Sequence, residues 1–285
     1  MPDPKPFRVA GLIGWPVSQS RSPLLHGHWL AEHGIAGAYV PLPVAPGRLG
    51  DALRGLVALG FAGANVTVPH KEEAARLVDR VDPVGQRMGA INLIVVEADG
   101  TLSGYNKDGY GFIESLREGH PAWRGDAGPA VVLGAGGAAR AIVAGLMDAG
   151  AREIRLLNRT AARAEELAAD LQGTGGGCRL QVLPWEARHD ALTGAALLVN
   201  TTSQGMHGQE PLELRLDALP AGAVVCDAVY VPLETPLLAA ARARGHPVVD
   251  GLGMLLHQAR PAFEAWFGVQ PQVTPALRAK VEATL

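Results

Sequence analysis

The chain has 285 residues, 48% of them hydrophobic and 19% charged, with a formal net charge of -3. That length and apolar content suit two domains with sizeable cores, and the near balance of charge excludes a broad basic field for nucleic acid. No run approaches the roughly 18 uninterrupted apolar residues of a membrane span. The start, MPDPKPFRVAGLIGW, lacks the pattern of a secretory leader, so a cytoplasmic protein without membrane partners is expected.

Along the first hundred residues, FRVAGLI, GAYVPLPV and AGANVTV read as strands, with helices expected at residues 23–33 and 48–59 between them. Strands alternating with helices imply a parallel sheet. After the first strand, Ser20 and Ser22 precede Pro23, which favours a first helical turn. Ser22 is a natural N-cap, and two hydroxyls at alternate positions beside a helix start suit a carboxylate equally well. After the third strand, Asn65 and Thr67 share one side of an extended segment, and Lys71 opens a helix. A cation is disfavoured at that end of a helix, so a merely solvated lysine gains nothing there.

INLIVVEADGTLSGY carries two strand-like runs around Asp99 and Gly100, a hairpin signal that adds antiparallel strands and makes the first sheet mixed. In GYNKDGYG, Asp108 opens a helix expected over residues 108–118, where it serves as a cap or as a partner for Lys71. GHPAWRGDAGP then reads as a connector into the glycine-rich unit that follows.

VVLGAGGAAR follows, an apolar run leading straight into closely spaced glycines. Read as GxGxxA, Gly134 makes the tight turn, Gly136 lets backbone approach a pyrophosphate, and Ala139 lets the helix pack on its strand. Ala135, Gly137 and Ala138 complete the turn, and phosphates would rest on free helix N–H groups. At the end of the next strand, where a carboxylate would hold the ribose of NAD, stand Asn158, Arg159 and Thr160. An arginine there grips a 2′-phosphate, which favours NADP.

RLQVL, ALLVNTT and AVVCDAV are further buried strands, TGGG at residues 174–177 is a surface loop, and PVVD is a short last strand. GLGMLLHQARPAFEAWFG has apolar residues at helical spacing, with a kink or break expected at Pro261. Cys178 and Cys226 lie far apart, outside any zinc or CxxC spacing, and read as small hydrophobes. No metal site is expected. The fold class expected is α/β with a mixed substrate domain over residues 1–107, a Rossmann-like NADP domain over 108–246, and a segment over 247–285 returning to the first domain.

The motifs SQSRSPLLH, GANVTVPHK, GAIN, GYNKDG, GAGGAAR, NRT, NTTSQGM, VYVPLETPL and DGLGMLLHQA stand in an order that resembles the shikimate dehydrogenase family over nearly the whole chain. The resemblance implies NADP-dependent, reversible oxidation of shikimate to 3-dehydroshikimate by a monomer or homodimer. It implies that Ser20 and Ser22 bind the substrate carboxylate, with Thr67 and Tyr230 at the same end. Asn65, Asn92, Asp108 and Gln258 would hold ring hydroxyls, and Lys71 with Asp108 would handle the proton. Thr201, Ser203, Gly251 and Met254 fall on the cofactor side. Two positions depart from the family pattern: Lys107, where threonine is usual, and Leu93 after Asn92. His26, His70 and His257 read as neighbours of these motifs, and the five tryptophans as core. A quinate dehydrogenase using NAD, and a dinucleotide-binding sensor without turnover, are the rival readings.

Overall fold

The computed structural model describes residues 7–285. The stretch before Phe7, which enters the leader reading, lies outside the described residues. By its contacts the chain divides into two compact units, Met1–Lys107 with Gln258–Leu285, and Asp108–His257.

The first unit begins β1 (Arg8–Gly14), α1 (Ser22–Glu32), β2 (Gly37–Pro43), α2 (Leu49–Ala58), β3 (Gly63–Val66) and α3 (Lys71–Leu77). It continues β4 (Arg80–Val81), α4 (Pro83–Met88), β5 (Leu93–Val96) and β6 (Leu102–Tyr105). The sheet order is β2-β1-β3-β5-β6-β4. β1, β2 and β3 run parallel, and the hairpin β5–β6 inserts antiparallel strands, giving the expected mixed sheet. Asp99 and Gly100 form its turn: Gly100 has φ +84°, and the Asp99 carboxylate accepts from Thr101 N at 2.9 Å. β4, too short to read from sequence, pairs parallel with β6. Ile13, Leu49, Ile91 and Ile94 are fully buried beside this sheet, each worth about 1.5–3 kcal/mol of transfer free energy.

The second unit runs α5 (Asp108–Gly119), β7 (Ala130–Leu133), α6 (Gly137–Asp148), β8 (Glu153–Leu157), α7 (Ala161–Leu171) and β9 (Arg179–Leu183). β10 (Leu197–Asn200), β11 (Val224–Asp227), α8 (Pro236–Ala243) and β12 (Val248–Val249) follow. All its strands are parallel, in the order β12-β11-β10-β7-β8-β9. This is the doubly wound Rossmann order, whose switch point lies between β7 and β10.

α9 (Leu252–Phe267) belongs to the second unit up to His257 and to the first from Gln258; α10 (Pro275–Glu282) ends the chain. The sequence reading placed the return at residue 247, but β12 is hydrogen-bonded to β11 and stays with the second sheet. The break expected at Pro261 does not occur, and α9 is continuous through it. Loss of one N–H bond is offset by burial of Ala259, Ala262, Phe263 and Trp266 around it. Trp266 donates to Ile94 O at 2.9 Å and Trp29 to Gln272 O at 2.9 Å, so both tryptophans bury their rings with the indole N–H satisfied. Among the described residues no helix is long and apolar enough to cross a membrane.

Candidate active site

In the first unit, the polar residues singled out from sequence follow the carboxyl ends of β1 and β3 or lie near β5. Asn65 and Asn92 are buried, at 5% and 3% exposure. Asn65 Nδ2 donates to the Asn92 backbone carbonyl at 2.9 Å, and Asn92 Nδ2 donates to Gln258 Oε1 at 3.3 Å. Asn92 Oδ1 accepts from Lys107 N at 2.9 Å. Three carboxamide residues from distant segments are therefore linked, Asn65 to Asn92 through the Asn92 backbone carbonyl and Asn92 to Gln258 side chain to side chain. Lys71, half-buried, starts α3, and its carbonyl accepts from Ile91 N at 3.0 Å, which ties the lysine backbone to the residue before Asn92. Thr67, partly buried, follows β3, its N–H bonded to Ile13 O at 2.8 Å.

Ser22 is not the N-cap of α1. Arg21 occupies that position without a side-chain cap, and Ser22 is the first helical residue. The Ser20 hydroxyl takes the local bonding role instead, accepting from Ser22 N at 3.2 Å. Capping therefore does not account for Ser22, which is buried at 7% exposure.

Both departures from the family pattern have local explanations. The Lys107 ammonium pairs with Asp82 at 3.6 Å and lies 5.2 Å from the centre of the Tyr105 ring, while its N–H holds Asn92. Leu93 faces the core, at 2% exposure.

One residue escaped the sequence reading. Tyr39 is the buried position of β2, and its hydroxyl donates to Asn65 Oδ1 at 2.7 Å, which fixes the amide orientation. Burial pushes its phenol well up. His26 stacks on Tyr39 with ring centres 4.1 Å apart and lies within 6 Å of Trp29, Phe263 and Trp266. Neither of its ring nitrogens meets hydrogen-bond geometry, although Asn65 is near enough to pull its pKa upward.

Burial nonetheless lowers His26 to about 3. The unfolded chain then binds a proton that the folded one refuses, so this stability is fully present above about pH 6.5 and fades as pH falls toward 3. Asp227, raised to about 6 by burial, acts with opposite sign and loses stability as pH rises from about 4 to 6. The difference between wild type and His26→Phe isolates the histidine. Between pH 7.5 and 4.5, urea unfolding should show the wild type losing about 3 kcal/mol more than the variant; parallel losses would rule the effect out.

The second unit carries the glycine turn at the end of β7. Gly134 has φ +113°, and an added Cβ would run into the Thr201 hydroxyl. Thr201 Oγ1 donates to Leu133 O at 2.7 Å, which stitches β10 to β7 at the switch point. Ala135 is half-buried; Gly136, Gly137 and Ala138 are exposed, and a Cβ at either of these two glycines would meet nothing within 4 Å. Ala139 is fully buried against the sheet. No side chain caps α6, so its first N–H groups are left without a side-chain acceptor.

At the end of β8, Asn158 Nδ2 donates to Thr160 O at 2.9 Å, and Arg159 and Thr160 are exposed. No ion pair engages Arg159 among the described residues. Arg163, in the first turn of α7, is a second exposed cation that the sequence reading passed over. Its signal was there: a positive charge where the helix dipole disfavours one.

Ser203 is exposed in the turn after β10, and Tyr230 is half-buried after β11. Gly251 packs against the Ala228 and Val229 carbonyls, leaving no room for a Cβ, and Met254 lies in the first turn of α9. Asp108 is the first residue of α5, where its charge suits the helix N-terminus. His70 and His257 have structural partners, Val44 O at 2.7 Å and Glu118 at 2.9 Å. Of the five tryptophans read as core, Trp29 and Trp266 are buried and Trp185 packs partly buried at a core edge, whereas Trp15 is 49% exposed and Trp123 lines a surface cleft with Arg117 and Arg152.

Three family models match the chain: a shikimate dehydrogenase substrate binding domain over residues 12–94, a shikimate / quinate 5-dehydrogenase over 125–204, and a shikimate 5′-dehydrogenase C-terminal domain over 251–279. A shikimate dehydrogenase (NADP(+)) of Paramagnetospirillum magneticum is 61% identical over 274 residues, 96% of this chain and 98% of the relative. A quinate dehydrogenase from Corynebacterium glutamicum, solved with NAD, has TM-score 0.90 at 30% identity, covering 98% of this chain and 100% of that one. A shikimate 5-dehydrogenase from Thermus thermophilus, solved with NADP(H) and shikimate, has TM-score 0.84 at 34% identity, covering 98% and 100%.

Proposed function

We propose, for a chain that belongs to the shikimate dehydrogenase family, that Lys71 and Asp108 handle the proton in the NADP-dependent, reversible oxidation of shikimate to 3-dehydroshikimate. The observation that carries this reading is the linked carboxamide residues Asn65, Asn92 and Gln258 in the unit that also bears Lys71. Amides offer both donors and acceptors, which suits a ring bearing several hydroxyls.

Lys71 takes the proton of the C3 hydroxyl during oxidation and returns it during reduction, and its positive form favours the developing alkoxide. Asp108 orients that hydroxyl and the ammonium. Ser20, Ser22, Thr67 and Tyr230 hold the carboxylate, while Asn65, Asn92, Asp108 and Gln258 hold the ring hydroxyls. NADP, when bound, supplies the acceptor for the hydride leaving C3.

The residues present fit that cofactor. The uncapped start of α6 and the open space around Gly136 and Gly137 suit a pyrophosphate, and Arg159 suits a 2′-phosphate. Ala135, Ala138, Asn158 and Thr160 would help hold that end of NADP, and Thr201, Ser203, Gly251 and Met254 its nicotinamide end. The enzyme works in the cytoplasm, as a monomer or homodimer, on small molecules. Its two cysteines are free and buried, in keeping with a reducing compartment.

Gly134→Ala and Gly136→Ala separate fold from binding. The first should lose about 1–3 kcal/mol of unfolding free energy from its positive φ and the clash with Thr201. The second should leave stability unchanged and weaken NADP at least tenfold, or about 1.4 kcal/mol, by filling space meant for phosphate. Equal stability losses in the two would contradict the assignment. The function itself is tested by kcat/KM for shikimate and quinate with NADP and NAD. Shikimate with NADP should rank first; a preference for quinate with NAD would favour the rival reading.

A further inference from the structure

Asp227 is a buried carboxylate to which the mechanism above gives no part, and it lies beneath residues that it uses. It ends β11, directly across the ladder from Asn200 at the end of β10, and the two are 2% and 0% exposed. Asp227 Oδ1 accepts from Asn200 Nδ2 at 3.0 Å and from Val229 N at 3.0 Å. Its Oδ2 accepts from Thr235 Oγ1 at 2.7 Å, and that hydroxyl caps α8 by accepting from Leu238 N at 3.3 Å.

Asn200 passes the constraint onward. Its Oδ1 accepts from Thr202 N at 3.0 Å and from Thr202 Oγ1 at 2.8 Å, and its Nδ2 also donates to Gln204 O at 3.2 Å. The turn bearing Thr201 and Ser203, the turn leading to Tyr230, and the start of α8 thus hang on one acceptor. Three donors converge on it, and a carboxylate accepts all three, whereas an asparagine would turn its amide N–H toward Thr235 Oγ1 and leave that hydroxyl proton without its acceptor. Burial pushes the group up to about 6 even though those three donors favour its charged form. A leucine of similar volume would avoid that cost but leave the buried Val229 N–H without its acceptor, so what the carboxylate adds at this position is its bonds.

We propose that Asp227 is a positioning residue for the reaction, holding the Thr201–Ser203 turn and the Val229–Tyr230 turn in fixed register with each other. This rests on the roles given above to Thr201, Ser203 and Tyr230. The test uses full-length Asp227→Ala, Asp227→Asn, Thr235→Val and Thr235→Ser, with kcat, KM for shikimate, and the primary deuterium isotope effect on its oxidation measured using shikimate deuterated at C3. Asp227→Ala should lower kcat by about 10- to 100-fold through misplacement of reacting groups, with a larger isotope effect as hydride transfer becomes limiting. Thr235→Val should show a weaker form of the same change, and Thr235→Ser, which keeps the hydroxyl, should match wild type.

Should Asp227→Ala fail to fold, Asp227→Asn and Thr235→Val are read in its place, since both keep the volume. An active wild type whose Asp227 and Thr235→Val variants keep kcat and isotope effect per folded molecule would overturn the proposal alone. A wild type inactive on shikimate with NADP would overturn the reading beneath it.

Discussion

Lys71→Ala should cut turnover by about 10²- to 10⁴-fold, about 3–5 kcal/mol in the barrier, while NADP affinity hardly changes. The backbone at this position is held independently of the side chain: Lys71 O accepts from Ile91 N, and Ala74 N bonds to His70 O at 2.8 Å. Glu72 and Glu73 occupy the first turn of α3 and suit its dipole, so truncation removes the ammonium and leaves the helix. The loss should therefore fall on kcat, with the unfolding midpoint little moved. Lys71→Arg should not restore turnover, because a guanidinium keeps charge but does not release a proton near neutral pH. Steady-state kinetics of shikimate oxidation decides this. Turnover by Lys71→Ala within tenfold of wild type would move the proton to another group.

Arg159→Ala should weaken NADP by about 10- to 100-fold and leave NAD nearly unchanged. A hydrogen-bonded pair with a charged group contributes about 1.5–3 kcal/mol, and only NADP carries the phosphate that makes one. Arg159 is exposed at the end of β8, so its loss costs the fold little. Arg163, in the first turn of α7, limits the drop by keeping part of the positive field, and the double variant should fall further. Titration of each cofactor by calorimetry reads the difference. Equal loss for NADP and NAD would undo the 2′-phosphate assignment.

Much of the architecture was legible because its signals are local. Apolar runs fixed the parallel strands, Asp99 and Gly100 the hairpin, and Gly134 with Gly136 the turn after β7. What escaped was set by distant partners. Ser22 reads as a cap from its neighbours alone, yet Arg21 takes the position. Nothing near Tyr39 in sequence announces its bond to Asn65, 26 residues away. Asp227 looks like the polar end of a strand until Thr235 and Asn200 converge on it. Pro261 carries a strong local breaking signal that buried packing of α9 overrides. The return of the chain at Gln258 falls within a helix, where no glycine or proline cluster marks it.

Hydride should leave C3 of shikimate for NADP. The most direct measurement incubates the purified protein with shikimate deuterated at C3 and NADP, then weighs the reduced cofactor by mass spectrometry. One deuterium in the reduced nicotinamide is the predicted result. Unlabelled reduced cofactor, or none formed at all, would contradict it.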